Sequence, residues 1–136
     1  MIKKFFAFAL LCALICSCGS DKKVVGDVKN LYGKWFIEEA MAKSTADGET
    51  KPFITFEKSG RMNGNASVNS FFGDYSFDGK TLKLDNVGMT RMMGRSMDVE
   101  RSVSDALDKS VTIKIDGKNA KVLDKKGNVV MVLVKE

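Results

Sequence analysis

Four of the chain's eight methionines, Met89, Met92, Met93 and Met97, crowd into one short stretch. Thioethers are soft, neutral donors, and a cluster of them can hold Cu(I) without any thiol or imidazole. The competing role is packing, because methionine fills irregular gaps between a helix and a sheet, and packing is the role favoured here. Thr90 and Arg91 interrupt the methionines just ahead of a helix, where a donor pair could meet an anion or a partner. The structural alternative, also favoured, has Thr90 capping backbone and Arg91 paired with a carboxylate such as Glu100. Trp35, Phe71, Phe72 and Tyr75 either line a groove for a peptide or lipid or pack in the core as strand aromatics do. Asp74, Asp78 and Asp85 lack the spacing of a calcium loop and read as turn residues.

What is missing closes more doors. The chain has no histidine, which removes the usual general base and the commonest transition-metal ligand. Its three cysteines are Cys12, Cys16 and Cys18, so the rest of the chain has no disulfide, no Cys-based zinc site and no thiol nucleophile. No spacing of carboxylates, serines or lysines points to catalysis. The expectation is a non-enzyme with no catalytic residue, no cofactor and no bound metal. The formal charge is +5, but Lys3 and Lys4 sit in a segment expected to be removed. The other basic residues are scattered, and Lys83, Lys114 and Lys121 alternate with apolar neighbours. Solvated strand faces look like this, and a nucleic-acid stripe does not.

Residues 1–17 read as a lipoprotein signal peptide. Met1-Ile2-Lys3-Lys4 is a positive n-region, and the apolar run Phe5–Ile15 is too short to span a bilayer. Ile15-Cys16-Ser17-Cys18 resembles the bacterial lipobox, which implies cleavage after Ser17 and acylation of Cys18 as a membrane anchor. Residues 18–30 are small and polar and read as a tether, reaching at most about 35–40 Å when extended. Gly19 follows the lipidated cysteine where an inner-membrane retention signal would have Asp. The outer membrane is therefore the expected location, with the periplasmic and surface faces both open.

The remaining residues, 31–136, must fold around the methionine stretch. Leu31 to about Met41 is rich in aromatic and β-branched residues and reads as a first strand. Ser44–Lys51 is a polar loop. Phe53–Glu57 and Arg61–Asn65 flank Ser59-Gly60 as a hairpin, and Ser70–Phe77 and Thr81–Val87 flank Asp78-Gly79, a type I′ turn signal. Ser96–Lys109 changes the period: Val99, Val103, Ala106 and Leu107 form a helical stripe, with Ser96 as the expected N-cap. Period two returns at Val111, Ile113 and Ile115, Asn119–Leu123 follows the Asp116-Gly117 turn, and Val129–Val134 is apolar throughout, as in a central or barrel-closing strand. The expected fold is mainly β (α+β): an antiparallel, barrel-like sheet of about eight short strands with one packed α-helix.

These elements carry a resemblance to the META/HslJ-like family of small bacterial envelope lipoproteins, extending over Leu31 to Val134. Its carriers are Leu31-x-Gly33-x-Trp35, Ile54-x-Phe56 with Gly60, Gly64, and Asn69 with Phe72-Gly73-x-Tyr75. Thr90-Arg91-Met92-Met93 follows, then Glu100, Val103 and Leu107, and Asp124-x-x-Gly127. The resemblance implies a barrel-like antiparallel sheet with one helix and no established enzymatic activity. It implies a structural role for Gly33, Trp35, Asn69, Gly73, Tyr75, Thr90, Arg91, Met92 and Glu100. Many members carry cysteines where this chain has Val68 and Gly94. If those cysteines bond, this domain lacks the staple, and the methionines read as packing that compensates for it.

The function expected is that of a non-enzymatic envelope lipoprotein. It would bind an envelope protein or other component, with stress tolerance as one expected setting, the membrane engaged through Cys18 and no nucleic-acid partner. The rival is a carrier of a small hydrophobic ligand held in the barrel interior or a groove, although side chains should fill an interior of this size.

Overall fold

The computed structural model describes residues 27–136. The signal segment, Cys18 and the tether as far as Gly26 lie outside the described residues. Residues 27–30, assigned above to the tether, are instead tied down. Val28–Leu31 form one helical turn, α1. Asp27 Oδ1 accepts the Lys29 N–H at 3.0 Å, the Asn30 carbonyl accepts from Lys135 Nζ at 2.9 Å, and Leu31 is fully buried. Burial of Leu31 fixes the turn, a tertiary effect that composition does not reveal.

The strands are β1 Gly33–Ala40, β2 Lys43–Ser44, β3 Phe53–Phe56, β4 Arg61–Asn65, β5 Ser70–Phe77 and β6 Leu82–Met89. After the helix α2, Asp98–Lys109, come β7 Thr112–Asp116, β8 Asn119–Leu123 and β9 Val129–Lys135. Every pairing is antiparallel, and the sheet order is β6-β5-β4-β3-β1-β9-β8-β7, with the short β2 on β1. Apolar from Val129 to Val134, β9 is central, between β1 and β8. Trp35 and Ile37 point inward at period two. The register slips between Ile37 and Glu39, and this bulge turns Ala40 inward as well. Lys83, Lys114 and Lys121 are exposed, on the outer side of their strands.

The sheet curls into a half-barrel whose edges meet at one place. Thr81 and Thr112 form an isolated bridge, the Leu82 N–H donates to the Val111 carbonyl at 2.9 Å, and the Ile113 N–H donates to Lys80 at 3.1 Å. Past Leu82, β6 pairs only with β5. Helix α2 covers the sheet instead, packing against β1, β2 and β9. Its stripe Val99, Val103, Ala106 and Leu107 joins one core with Trp35, Ile37, Phe56, Phe71, Met131 and Leu133. Each fully buried side chain of this kind contributes about 1.5–3 kcal/mol, which makes the helix an integral wall.

Three local expectations give way. In the Asp78-Gly79 hairpin only Gly79 has positive φ, 98°, so the turn is not type I′, which needs it at both residues. Asp78 instead uses its carboxylate, Oδ1 accepting the Lys80 and Thr81 N–H groups at 3.0 and 2.7 Å. Ser96 is not the N-cap. Helix α2 starts at Asp98 after Met97, with no side-chain cap, because contacts made by Gly94 and Arg95 hold the preceding residues in a loop. Finally, Met41 and Ala42, with φ of 51° and 61°, turn the chain from β1 into β2, a hairpin that their residue types do not announce.

Candidate functional site

Glu100 stands out on the packed side of α2, a carboxylate only 5% exposed. A buried charge is costly unless its lone pairs are used. Its Oε2 accepts the Val68 and Asn69 N–H groups at 3.1 and 2.9 Å, and Oε1 accepts from Asn69 Nδ2. Asn69 is buried too and spends its whole amide. Nδ2 also donates to the Met92 carbonyl at 2.8 Å, while Oδ1 accepts the Thr90 hydroxyl at 2.9 Å and the Met92 N–H at 2.6 Å. Thr90 Oγ1 in turn accepts the Ser70 N–H at 3.1 Å. This network joins the β4–β5 connection, the segment after β6 and the first turn of α2.

A second clamp holds the other end of the loop before α2. Glu49 Oε1 accepts the Arg95 N–H, and the Glu49 N–H donates to Ser67 Oγ at 2.8 Å. Ser67 sits at φ 109°, a left-handed conformation strained for any residue with a Cβ. Three contacts hold it there: its N–H on Asn65 Oδ1 at 2.8 Å, its Oγ on Glu49, and its carbonyl on the Thr50 hydroxyl at 2.5 Å. Sequence reasoning missed Glu49 and Ser67, and no local pattern marks either.

Between the clamps the loop faces outward. A groove of about 600 Å³ opens between it and α2, lined among others by Val87, Met89, Arg91, Met92, Met93 and Met97. The packing role expected for the methionines fails for two of them, since Met92 is 60% and Met93 84% exposed. The backbone clamps on Met92 and Arg95 turn these side chains to solvent. Met89 is half-buried against the core, and Met97 Sδ accepts the Gly94 N–H at 3.3 Å. Arg91 does not pair with Glu100. That carboxylate already accepts three hydrogen bonds, and Arg91 is exposed with no ion pair among the described residues. Phe71 is core; Val87, 41% exposed, lines the groove, whereas Phe72, 49% exposed, lies over Gly88 on the opposite face of the sheet.

The model of the META domain family matches residues 29–136. The chain belongs to the META domain family. Among solved structures it is similar to a protein from Burkholderia xenovorans, determined by NMR, with a TM-score of 0.61 and 18% identity over 82% of this chain and 88% of that one. A second NMR structure gives a TM-score of 0.62 and 16% identity over 77% and 90% of the two chains. A crystal structure of a DUF4847 family protein from Bacteroides vulgatus gives 0.58 and 14% over 78% and 94%. At these identities the likeness shows the fold. No curated protein matches the chain.

The META domain is not a known enzyme family. Of the motif positions, Asn69, Thr90, Met92 and Glu100 meet in the network above, and the others lie apart. Gly33 opens β1 at φ 112°. Trp35 is fully buried, and its indole N–H donates to the Leu31 carbonyl at 2.8 Å. Gly73 lies at the β5–β6 bulge, where an added Cβ would fall 2.8 Å from the Asp85 carbonyl oxygen. The Tyr75 hydroxyl donates to the Glu57 carbonyl at 2.5 Å, and its ring meets Phe56 edge-on at 5.0 Å. Burial first, then the neighbouring Tyr32 and Glu57 charges, pushes the Tyr75 phenol above its ordinary value. A Cβ built on Gly94 falls 2.5 Å from Val68 Cγ2, so positions 68 and 94 are neighbours. Among the described residues no three His, Cys, Asp or Glu side chains converge as metal ligands.

Proposed function

We propose that this META domain is a non-catalytic binding module of an outer-membrane lipoprotein, anchored through acylated Cys18. It docks an envelope protein through the groove lined by Val87, Met92 and Met93. The observation that carries this reading is the exposure of Met92 and Met93 on a loop whose backbone is clamped at both ends. Exposed apolar side chains are common singly, but several held along one groove are a feature of interaction surfaces, and methionine suits partners of varied shape.

The path of the chain fits the same reading. Helix α1 lies where β1 begins, whereas the methionine loop leaves the end of β6 that pairs, through β5, β4 and β3, toward the other end of β1. Of the two sites open to the rival carrier role, the interior is filled by Trp35, Phe56, Phe71 and Val103, which leaves it the open groove.

A photo-crosslinking residue at position 93 or 92 of the full chain, expressed in its own envelope, tests the proposal, with position 114 as control. A discrete adduct from 93 and 92 that is absent from 114 and lost on adding Val87→Glu is expected. Equal labelling from all three positions would refute docking at this face. Repeating the experiment with Cys18→Ala asks whether the anchor is needed to meet the partner.

A further inference from the structure

We infer that the segment Met89–Met97 is a thioether site for a monovalent soft metal ion, Cu(I) or its closed-shell analogue Ag(I). Met92, Met93 and Met97 are the donors, and Met89 forms the groove floor. The site does not depend on the docking reading.

All four methionines line one groove. Met92 and Met93 are not consumed by packing, being exposed, and so their sulfurs are accessible. The loop that carries them is preorganised: Asn69 grips the Met92 backbone on both its N–H and its carbonyl, and Glu49 grips Arg95. Met97 Sδ is drawn over the loop by the Gly94 N–H at 3.3 Å. Holding donors in place before the ion arrives reduces the ordering cost of binding.

The surroundings select the ion. The groove wall carries Arg91 and Arg101 against Asp108, and the Glu100 carboxylate that also lines it already accepts three hydrogen bonds. A hard divalent cation finds no free anionic oxygen cage here, whereas neutral thioethers match a soft ion of low charge. With no histidine in the chain and every cysteine within the first eighteen residues, the thioethers are the soft donors of the domain.

The test uses the full chain in detergent with Cys12, Cys16 and Cys18 changed to Ser, so that no thiol competes, and with 13C-methyl methionine. On titration with Ag(I), and with Cu(I) under anaerobic reducing conditions, the methyl signals of Met92, Met93 and Met97 should move together. They should saturate at one equivalent, while those of Met62 and Met131 stay in place. Met93→Leu should weaken binding by roughly 10-fold or more, and Leu at all three donor positions should abolish it. Unchanged Met62 and Met131 signals in these variants show that the fold survives. No shift at one equivalent, or methionine signals that drift independently without saturating, overturns the site and leaves adventitious thioether contact only.

Discussion

Asn69→Ala is the sharpest test of how the fold holds its loop. The change removes four hydrogen bonds, two to Met92 backbone, one from Thr90 and one to Glu100. Bonds to a charged group are each worth about 1.5–3 kcal/mol, and neutral ones about 0.5–1.5 kcal/mol. Thr90 and Met92 lie at the surface and can bond to water after truncation, so their share is small. Glu100 keeps its two backbone donors but loses the third while still buried, and that is where most of the cost falls. The expected loss is about 2–4 kcal/mol. The chain has a single tryptophan, and Trp35 is fully buried, so its fluorescence in urea reports global unfolding. Hydrogen exchange at the Met92 amide supplies a local readout and should accelerate even in low denaturant. A loss below about 1 kcal/mol, with unchanged exchange at Met92, refutes the lock.

Val103→Asp puts an unpaired carboxylate where exposure is zero; it should cost at least about 4 kcal/mol and abolish near-UV circular dichroism, whereas retained stability would mean α2 is not a wall of the core. Val68→Cys with Gly94→Cys joins neighbouring positions and should form a cross-link that stabilises by roughly 3 kcal/mol, read as a rise in Tm that reductant reverses. If the Tm is the same with and without reductant, the two positions do not meet. Backbone N–H groups hold the Asp78 and Asp124 carboxyls below their ordinary value. Folded-state pKa values below the unfolded value mean that this contribution is full above about pH 3.9 and is lost as pH falls through the folded values. The urea midpoint should therefore drop on acidification below that point, and drop less in the Asp78→Asn, Asp124→Asn double variant; an equal drop would contradict the assignment.

Much of the architecture was legible because it follows short-range rules. The alternation at Leu82–Leu84, the turns at Ser59-Gly60 and Asp116-Gly117, and the helical stripe from Val99 to Leu107 each state their own period. The strands they imply need mutual closure. What stayed hidden depends on contacts distant in sequence. Met41–Ala42 adopts two left-handed residues without Asn or Gly, because the β1–β2 pairing requires the turn. Glu100 reads in sequence as a partner for Arg91, yet it reaches 31 residues back to Asn69. The same network decides the fate of the methionines. Their identity promises either packing or metal binding, and only the clamps by Asn69 and Glu49 determine that Met92 and Met93 face solvent. Arg91 has no ion pair among the described residues for the same reason, since the network turns the Glu100 carboxylate toward Val68 and Asn69.

The exposure of those two side chains underlies both the docking face and the metal site, and oxidation by dilute hydrogen peroxide, followed residue by residue by mass spectrometry, measures it most directly. Met92 and Met93 should convert to sulfoxides first, with Met62 and Met131, each 1% exposed, protected until the domain is unfolded in urea, and Trp35 fluorescence should stay native after the first two conversions. Oxidation of Met92 and Met93 no faster than that of Met62 and Met131, or unfolding that accompanies it, would show the methionines to be packing after all.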